Sequence, residues 1–190
     1  MQQQVKSIFT ECIQTQIAAA DMLQDALMQA AELLVSTLLN GSSVFCCGER
    51  MAHASARHFA HIMLTGLDFE RPPFAVTALH ADLGAREHEY TFAQQILPSG
   101  KAGDLLIVLN ASASAPRVCR AMEAALSRGM LIIALTSEAD QQVAGLLGPD
   151  DVEIRIPSRN SARVSELLLQ LMNMLCRLSE QQIFPQEIES

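Results

Sequence analysis

Two stretches of this 190-residue chain carry residue types that hold small anions. The first reads Cys47-Gly48-Glu49-Arg50-Met51-Ala52-His53-Ala54, and the second Leu109-Asn110-Ala111-Ser112-Ala113-Ser114-Ala115-Pro116. A phosphate cradle needs glycines, which let backbone N–H groups approach the oxygens, and hydroxyl donors at the start of a helix. The first stretch offers only Gly48 and puts Glu49 where an anion would sit, with Arg50 beside it as partial compensation. The second offers Asn110, Ser112 and Ser114 as donors. These are also ordinary N-cap residues, and Pro116 suits a first helical turn, so the reading as a plain helix start stands ahead of the ligand-binding one.

Neighbouring elements have to hold these stretches in place. Val5, Ile8, Phe9, Cys12, Ile13, Gln16 and Ile17 recur at three- and four-residue steps, and a second periodic segment runs from about Met22 to Leu39 before Asn40-Gly41 stops it. This predicts two opening helices. Short apolar runs at 43–47, 75–79, 104–109, 131–135 and 151–156 predict five strands. Helices are expected near 51–66, 87–97, 115–128 and 139–147, with a long final helix from about Ser161 to Gln182. Strands alternating with helices pair in parallel through right-handed crossovers, which predicts an α/β, three-layer doubly wound fold with a five-stranded parallel sheet. Ligands in such folds bind outside the C-terminal ends of the strands, so the loops after Cys47, Leu79, Leu109, Leu135 and Ile156 decide the function. Residues 1–190 read as one domain, a helical leader over 1–40 followed by an α/β core over 41–190.

Composition narrows the function classes. Hydrophobic residues make up 49% and aromatics 4%, with no Trp, which favours helices packed on a sheet. The net charge of -8 and pI near 5.0 repel phosphate backbones, so direct binding of nucleic acid is not expected. No apolar run approaches the roughly 20 residues that span a bilayer. The start MQQQVKSIFTE lacks the basic and apolar regions of a signal peptide, so a cytoplasmic location without membrane attachment is expected. Cys12, Cys46, Cys47, Cys119 and Cys176 form no CxxC pair and sit in apolar surroundings, as reduced, buried thiols do.

Ile13-Gln-Thr-Gln-Ile-Ala-Ala-Ala20, Cys46-Cys-Gly48, His58-Phe-Ala60, Ala102-Gly-Asp104, Ala144-Gly-Leu-Leu-Gly-Pro149, Asp151-Val-Glu-Ile-Arg-Ile-Pro157, Ser161-Ala-Arg163 and Ile183-Phe-Pro185 together carry a resemblance over nearly the whole chain. The sequence resembles the SIS-domain family, its phosphoheptose isomerase-like branch, and within that branch the DnaA initiator-associating group. The resemblance implies the SIS, flavodoxin-like architecture.

The departures from the isomerases matter most. Their GNGGS loop reads Gly48-Glu49-Arg50-Met51-Ala52 here, and their STSGNS motif reads Asn110-Ala111-Ser112-Ala113-Ser114-Ala115, so most phosphate donors are gone. Their zinc ligands, a His and a Glu on one helix and a Gln and a His on the last, fall on His58, Ile62, Ser165 and Asn173. One ligand of four cannot hold zinc, and neither His53 nor His61 restores the spacing. Glu166 keeps the acidic residue of the family's final-helix motif but lacks substrate-positioning partners. The segment from His80 to Glu89 is shorter than the loop that closes over the sugar in the isomerases. No catalytic residue, metal or cofactor is therefore expected, and Glu49, Asn110, Ser112, Ser114 and Glu166 are left as a vestigial ligand pocket, with residual sugar phosphate as a conceivable occupant.

The final helix is apolar on more than one face from Glu166 to Leu178, and the first helix adds a second stripe, so surplus apolar surface is expected to be covered by another subunit, the alternative being a final helix fully buried in the monomer core. The resemblance implies a homotetramer, with Ile183 at the subunit interface and Phe184 contacting DnaA. The alternative that both merely cap the monomer core stays open. The expected function is a non-catalytic, homotetrameric adaptor that binds the DnaA initiator protein. The alternatives are a zinc-dependent sedoheptulose 7-phosphate isomerase and a sugar-phosphate-sensing regulator.

Overall fold

The structure is a computed structural model that describes residues 1–81 and 89–185. It opens with helix α1 (Gln2–Met22) and helix α2 (Gln24–Leu39), which meet at Leu23. Helix α2 ends where only glycine is comfortable. Gly41 has φ +70°, its N–H donates to the Leu38 carbonyl, and the Ser42 N–H donates to the Thr37 carbonyl.

Strand β1 (Val44–Gly48) follows, then α3 (Met51–Thr65), β2 (Val76–Ala78), α4 (Ala93–Ser99), β3 (Leu105–Leu109), α5 (Pro116–Ser127), β4 (Leu131–Ser137), β5 (Val152–Ile156) and α6 (Ser161–Ile183). The five strands are all parallel, in the order β2-β1-β3-β4-β5. Because side chains alternate across a strand, each apolar run feeds both faces of the sheet. Val44, Cys46, Leu105, Ile107 and Ile133 point into a core shared with α2, α3 and α6, while Phe45, Cys47, Leu106, Val108 and Ile132 point into one shared with α4 and α5. The result is the three-layer α/β architecture expected from the sequence.

The chain order reverses between β1 and β3, and such a switch point opens a crevice at the C-terminal strand ends. Gly48 pairs with Leu109 there, so the two loops singled out above leave the sheet side by side. Two aspartates of the sequence motifs serve the opposite end. Asp104 accepts from the backbone N–H groups of Ser43 and Lys101, and Asp151 from those of Ile132 and Gly148.

The helix expected over 139–147 is not formed. A 3-10 turn over Ala144–Leu146 stands in its place. The Asp140 carboxylate accepts from the N–H groups of Gln142 and Val143, a local turn that competes with helix formation. Helix α4 begins at Ala93, and most of the 80–89 segment lies outside the described residues.

Candidate functional site

The β1 loop departs from a phosphate cradle in its backbone. A Cβ on Gly48 would lie 2.9 Å from the backbone and side chain of Ala52, so this glycine lets α3 close onto the strand. Arg50 adopts φ 53° and ψ −121°, a shape that glycine enters freely and a branched backbone does not. Glu49, just before it, reaches across the crevice to α5.

There Glu49 Oε1 accepts from the backbone N–H of Arg117 at 2.8 Å and of Val118 at 3.4 Å. Its second oxygen lies 3.5 Å from Arg117 Nε, and the carboxylate side chain is only 12% exposed. Helix α5 has Pro116 in its first turn and no side-chain cap from its own N-cap residue, Ala115. The expectation that Asn110, Ser112 or Ser114 caps this helix is therefore corrected: the acceptor comes from a residue on another strand's loop.

Asn110 is buried and fully engaged. Its amide donates to the Asp140 carboxylate at 2.6 Å and to the Ser112 carbonyl at 2.8 Å, and its oxygen accepts from the Ser112 N–H. It stitches the β3 loop to the β4 loop. Ser114 is exposed in a shallow depression beside Pro116, Cys119 and Arg120. Glu49, Ser112 and Glu166 do share one cleft, of about 520 Å³, with Arg50, Ser161 and Ser165 on its walls. Glu166 pairs with Arg163 at 2.8 Å and accepts from the Cys12 thiol, which ties the start of α6 to α1.

Of the four positions where the resemblance puts zinc ligands, two satisfy each other and the other two offer no free ligand. His58 Nε2 and Asn173 Oδ1 share a 2.7 Å hydrogen bond, with the ring proton on Nε2 because the amide oxygen only accepts. Ile62 is buried, and the Ser165 hydroxyl donates to the Ser161 carbonyl within its own helix. An apolar side chain, a hydroxyl turned inward and a closed His–Asn pair do not fit a zinc centre. Among the described residues no group of three or more His, Cys, Asp or Glu is placed to hold a metal.

The terminal helices carry the second candidate surface. Val5, Ile8, Phe9, Ile13 and Ile17 are at least half exposed along α1, and α1, α2 and α6 enclose an apolar groove of about 250 Å³ lined by Ala19, Leu23, Leu27, Leu167, Leu171 and Met174. Ile183 and Phe184 are both half-buried. The Phe184 ring stacks on Phe74 at 6.0 Å and meets Phe69 edge-on at 6.4 Å. Beneath it lies a pair that the sequence reading missed. The side chains of Arg71 and Glu180, each 1% exposed, meet at 2.9 Å, and Arg71 also covers the Phe74 ring at 3.9 Å. Glu180 accepts from the Leu67 N–H with the same oxygen, while its Oε2 is buried with no hydrogen-bond partner among the described residues. Arg71 sits in the loop Arg71-Pro72-Pro73, where nothing in the local pattern announces burial.

A parallel sheet ordered β2-β1-β3-β4-β5, with its loops gathered over the β1/β3 crevice, defines a flavodoxin-like doubly wound domain, and comparison with known proteins narrows it to the SIS type. The family model for the SIS domain matches residues 8–137. The solved phosphoheptose isomerase from Francisella tularensis superposes with a TM-score of 0.89 at 31% identity, covering 94% of this chain and 97% of that one. That of Neisseria gonorrhoeae gives 0.86 at 30% identity, over 95% of this chain and 98% of that one. The DnaA initiator-associating protein DiaA of Shigella flexneri serotype 5b is 43% identical over 98% of this chain and 99% of its own length. The chain belongs to the SIS-domain family, in the group of the DnaA initiator-associating proteins.

Proposed function

We propose that the protein is a non-catalytic homotetrameric adaptor, resident in the cytoplasm, that binds several DnaA initiator molecules and promotes their assembly at the replication origin. The end-to-end likeness to a DnaA initiator-associating protein carries this reading. The site geometry supports it. Glu49 lies on the α5 N-terminus, Asn110 is spent on Asp140, and His58 is spent on Asn173. The exposed stripe of α1 supports an oligomer, because a row of large apolar side chains in water is stabilised by covering it, and Ile183 at the far end of α6 is a second interface position on this reading. The charge of -8 suits a basic partner.

The partner surface on this reading includes Phe184, presented with Phe69 and Phe74 as a half-exposed aromatic patch. The test is retention of the same organism's DnaA on immobilised protein by surface plasmon resonance. Phe184→Ala is expected to keep the oligomer and weaken capture by about 2 kcal/mol, the loss typical of a hot-spot aromatic. A parent protein that retains no DnaA would sink the adaptor reading. The runner-up, a sedoheptulose 7-phosphate isomerase, rests on the close superposition with phosphoheptose isomerases. Turnover that depends on added zinc and vanishes in His58→Ala would favour it.

A further inference from the structure

The β1/β3 crevice contains a helix N-terminus already supplied with a negative charge. Helix α5 runs for twelve residues. Its first N–H groups carry the positive end of the helix dipole and attract anions. Glu49 meets them with one oxygen on the N–H groups of Arg117 and Val118 and the other facing Arg117 Nε. A second carboxylate, a phosphate or a sulfate approaching the same N–H groups would have to displace it. Like charges cannot share so small a volume. Arg50, the residue that follows, holds a positive φ.

We infer that Glu49 is a built-in substitute for an anionic ligand: it fills a small-oxyanion position at the start of α5 and closes the crevice to phosphate groups. Ser112, Ser161 and Ser165 line the neighbouring cleft but do not touch the filled position in the way the Arg117 and Val118 amides do. Specificity against phosphate therefore resides in one side chain. Removing its charge uncovers two N–H donors and a guanidinium in a largely buried setting, the arrangement that recruits an oxyanion from solution. The inference is independent of the adaptor reading, because phosphate binding and DnaA capture are measured separately.

The test uses the full chain and inorganic phosphate, followed by 31P line broadening and by the shift in melting temperature. Glu49→Ala and Glu49→Gln are expected to gain saturable phosphate binding at least tenfold tighter than the parent. Asp68→Asn, which removes a carboxylate paired with Arg177 and outside the crevice, is expected to behave like the parent. Arg117→Ala added to Glu49→Ala is expected to remove the new binding. Phosphate binding by the parent as tight as by the variants overturns the inference, as does the absence of saturable binding in both folded Glu49 variants. Should Glu49→Ala fail to fold, Glu49→Gln decides. A loss of fold in both that phosphate does not rescue also overturns it, since no free anion would then replace the carboxylate.

Discussion

At the scale of single residues, Arg50 and the buried thiols give the clearest energetic consequences. A non-glycine residue at the Arg50 backbone angles stores about 1–3 kcal/mol of strain, and glycine costs about 0.5–1 kcal/mol in unfolded-chain freedom, so Arg50→Gly should raise stability by about 1 kcal/mol in urea titration. Cys46 is pushed up to about 12 by burial, with a backbone hydrogen bond from Ala60 acting in the opposite direction. Burial and then the Glu180 charge push Cys176 up to about 12 as well. A thiol whose folded value lies above its unfolded one adds stability in full below the unfolded value, and loses it as pH rises towards the folded value. The parent should therefore weaken between the ordinary thiol value of 9.0 and about 12, and Cys46→Ala should flatten that loss when urea midpoints at successive alkaline pH values are compared. Burial of Cys46, Cys47 and Cys176 was legible from their apolar neighbours. The role of Glu49 was legible only by half. Sequence puts a carboxylate where an anion would sit, but its acceptance of hydrogen bonds from residues 68 and 69 positions away depends on the crossing of two loops.

At the scale of elements, the long apolar pattern of α6 announced its length, but most of its apolar side chains are buried within the monomer and only Leu169 and Met174 are left exposed, so less surplus surface remains than the sequence suggested. The burial of Glu180 near its end has no local signal, because it depends on Arg71 from the loop before β2, which reaches the same point and donates further to the carbonyls of Met63 and Ile62. Removing one partner of a buried ion pair leaves the other uncompensated, at a cost of about 3–5 kcal/mol, while replacing both with apolar side chains costs far less. Glu180→Ala should accordingly lower stability by about that amount, and Arg71→Leu combined with Glu180→Leu should recover most of it; equal losses in single and double variants by chemical denaturation would contradict this. The missing helix over 139–147 has a comparable cause. Its apolar periodicity is real, since Val143 is buried and Leu146 packs against the α5 side, but Asp140 spends its carboxylate on local N–H groups and on Asn110. A partner 30 residues away is not visible in a window of the sequence.

At the scale of the whole molecule, alternation of strand and helix was sufficient to predict a parallel sheet, and the near-continuous apolar runs fit strands buried on both faces. The order of the strands, and with it the crevice between β1 and β3, is a property of the assembled chain. The apolar stripe of α1 remains uncovered in one copy, so Ile13→Asp should leave the fold intact and reduce the species seen by light scattering from the proposed tetramer to smaller assemblies; a parent that is monomeric at micromolar concentration would remove the oligomer from the proposal. The carboxylate on α5 bears on the molecule as a whole. A dissociable ligand stabilises the folded state by RT ln(1 + [L]/Kd), a contribution that rises and falls with supply. Because Glu49 belongs to the chain, its contact with the start of α5 is a contribution that does not vary with the supply of any free anion.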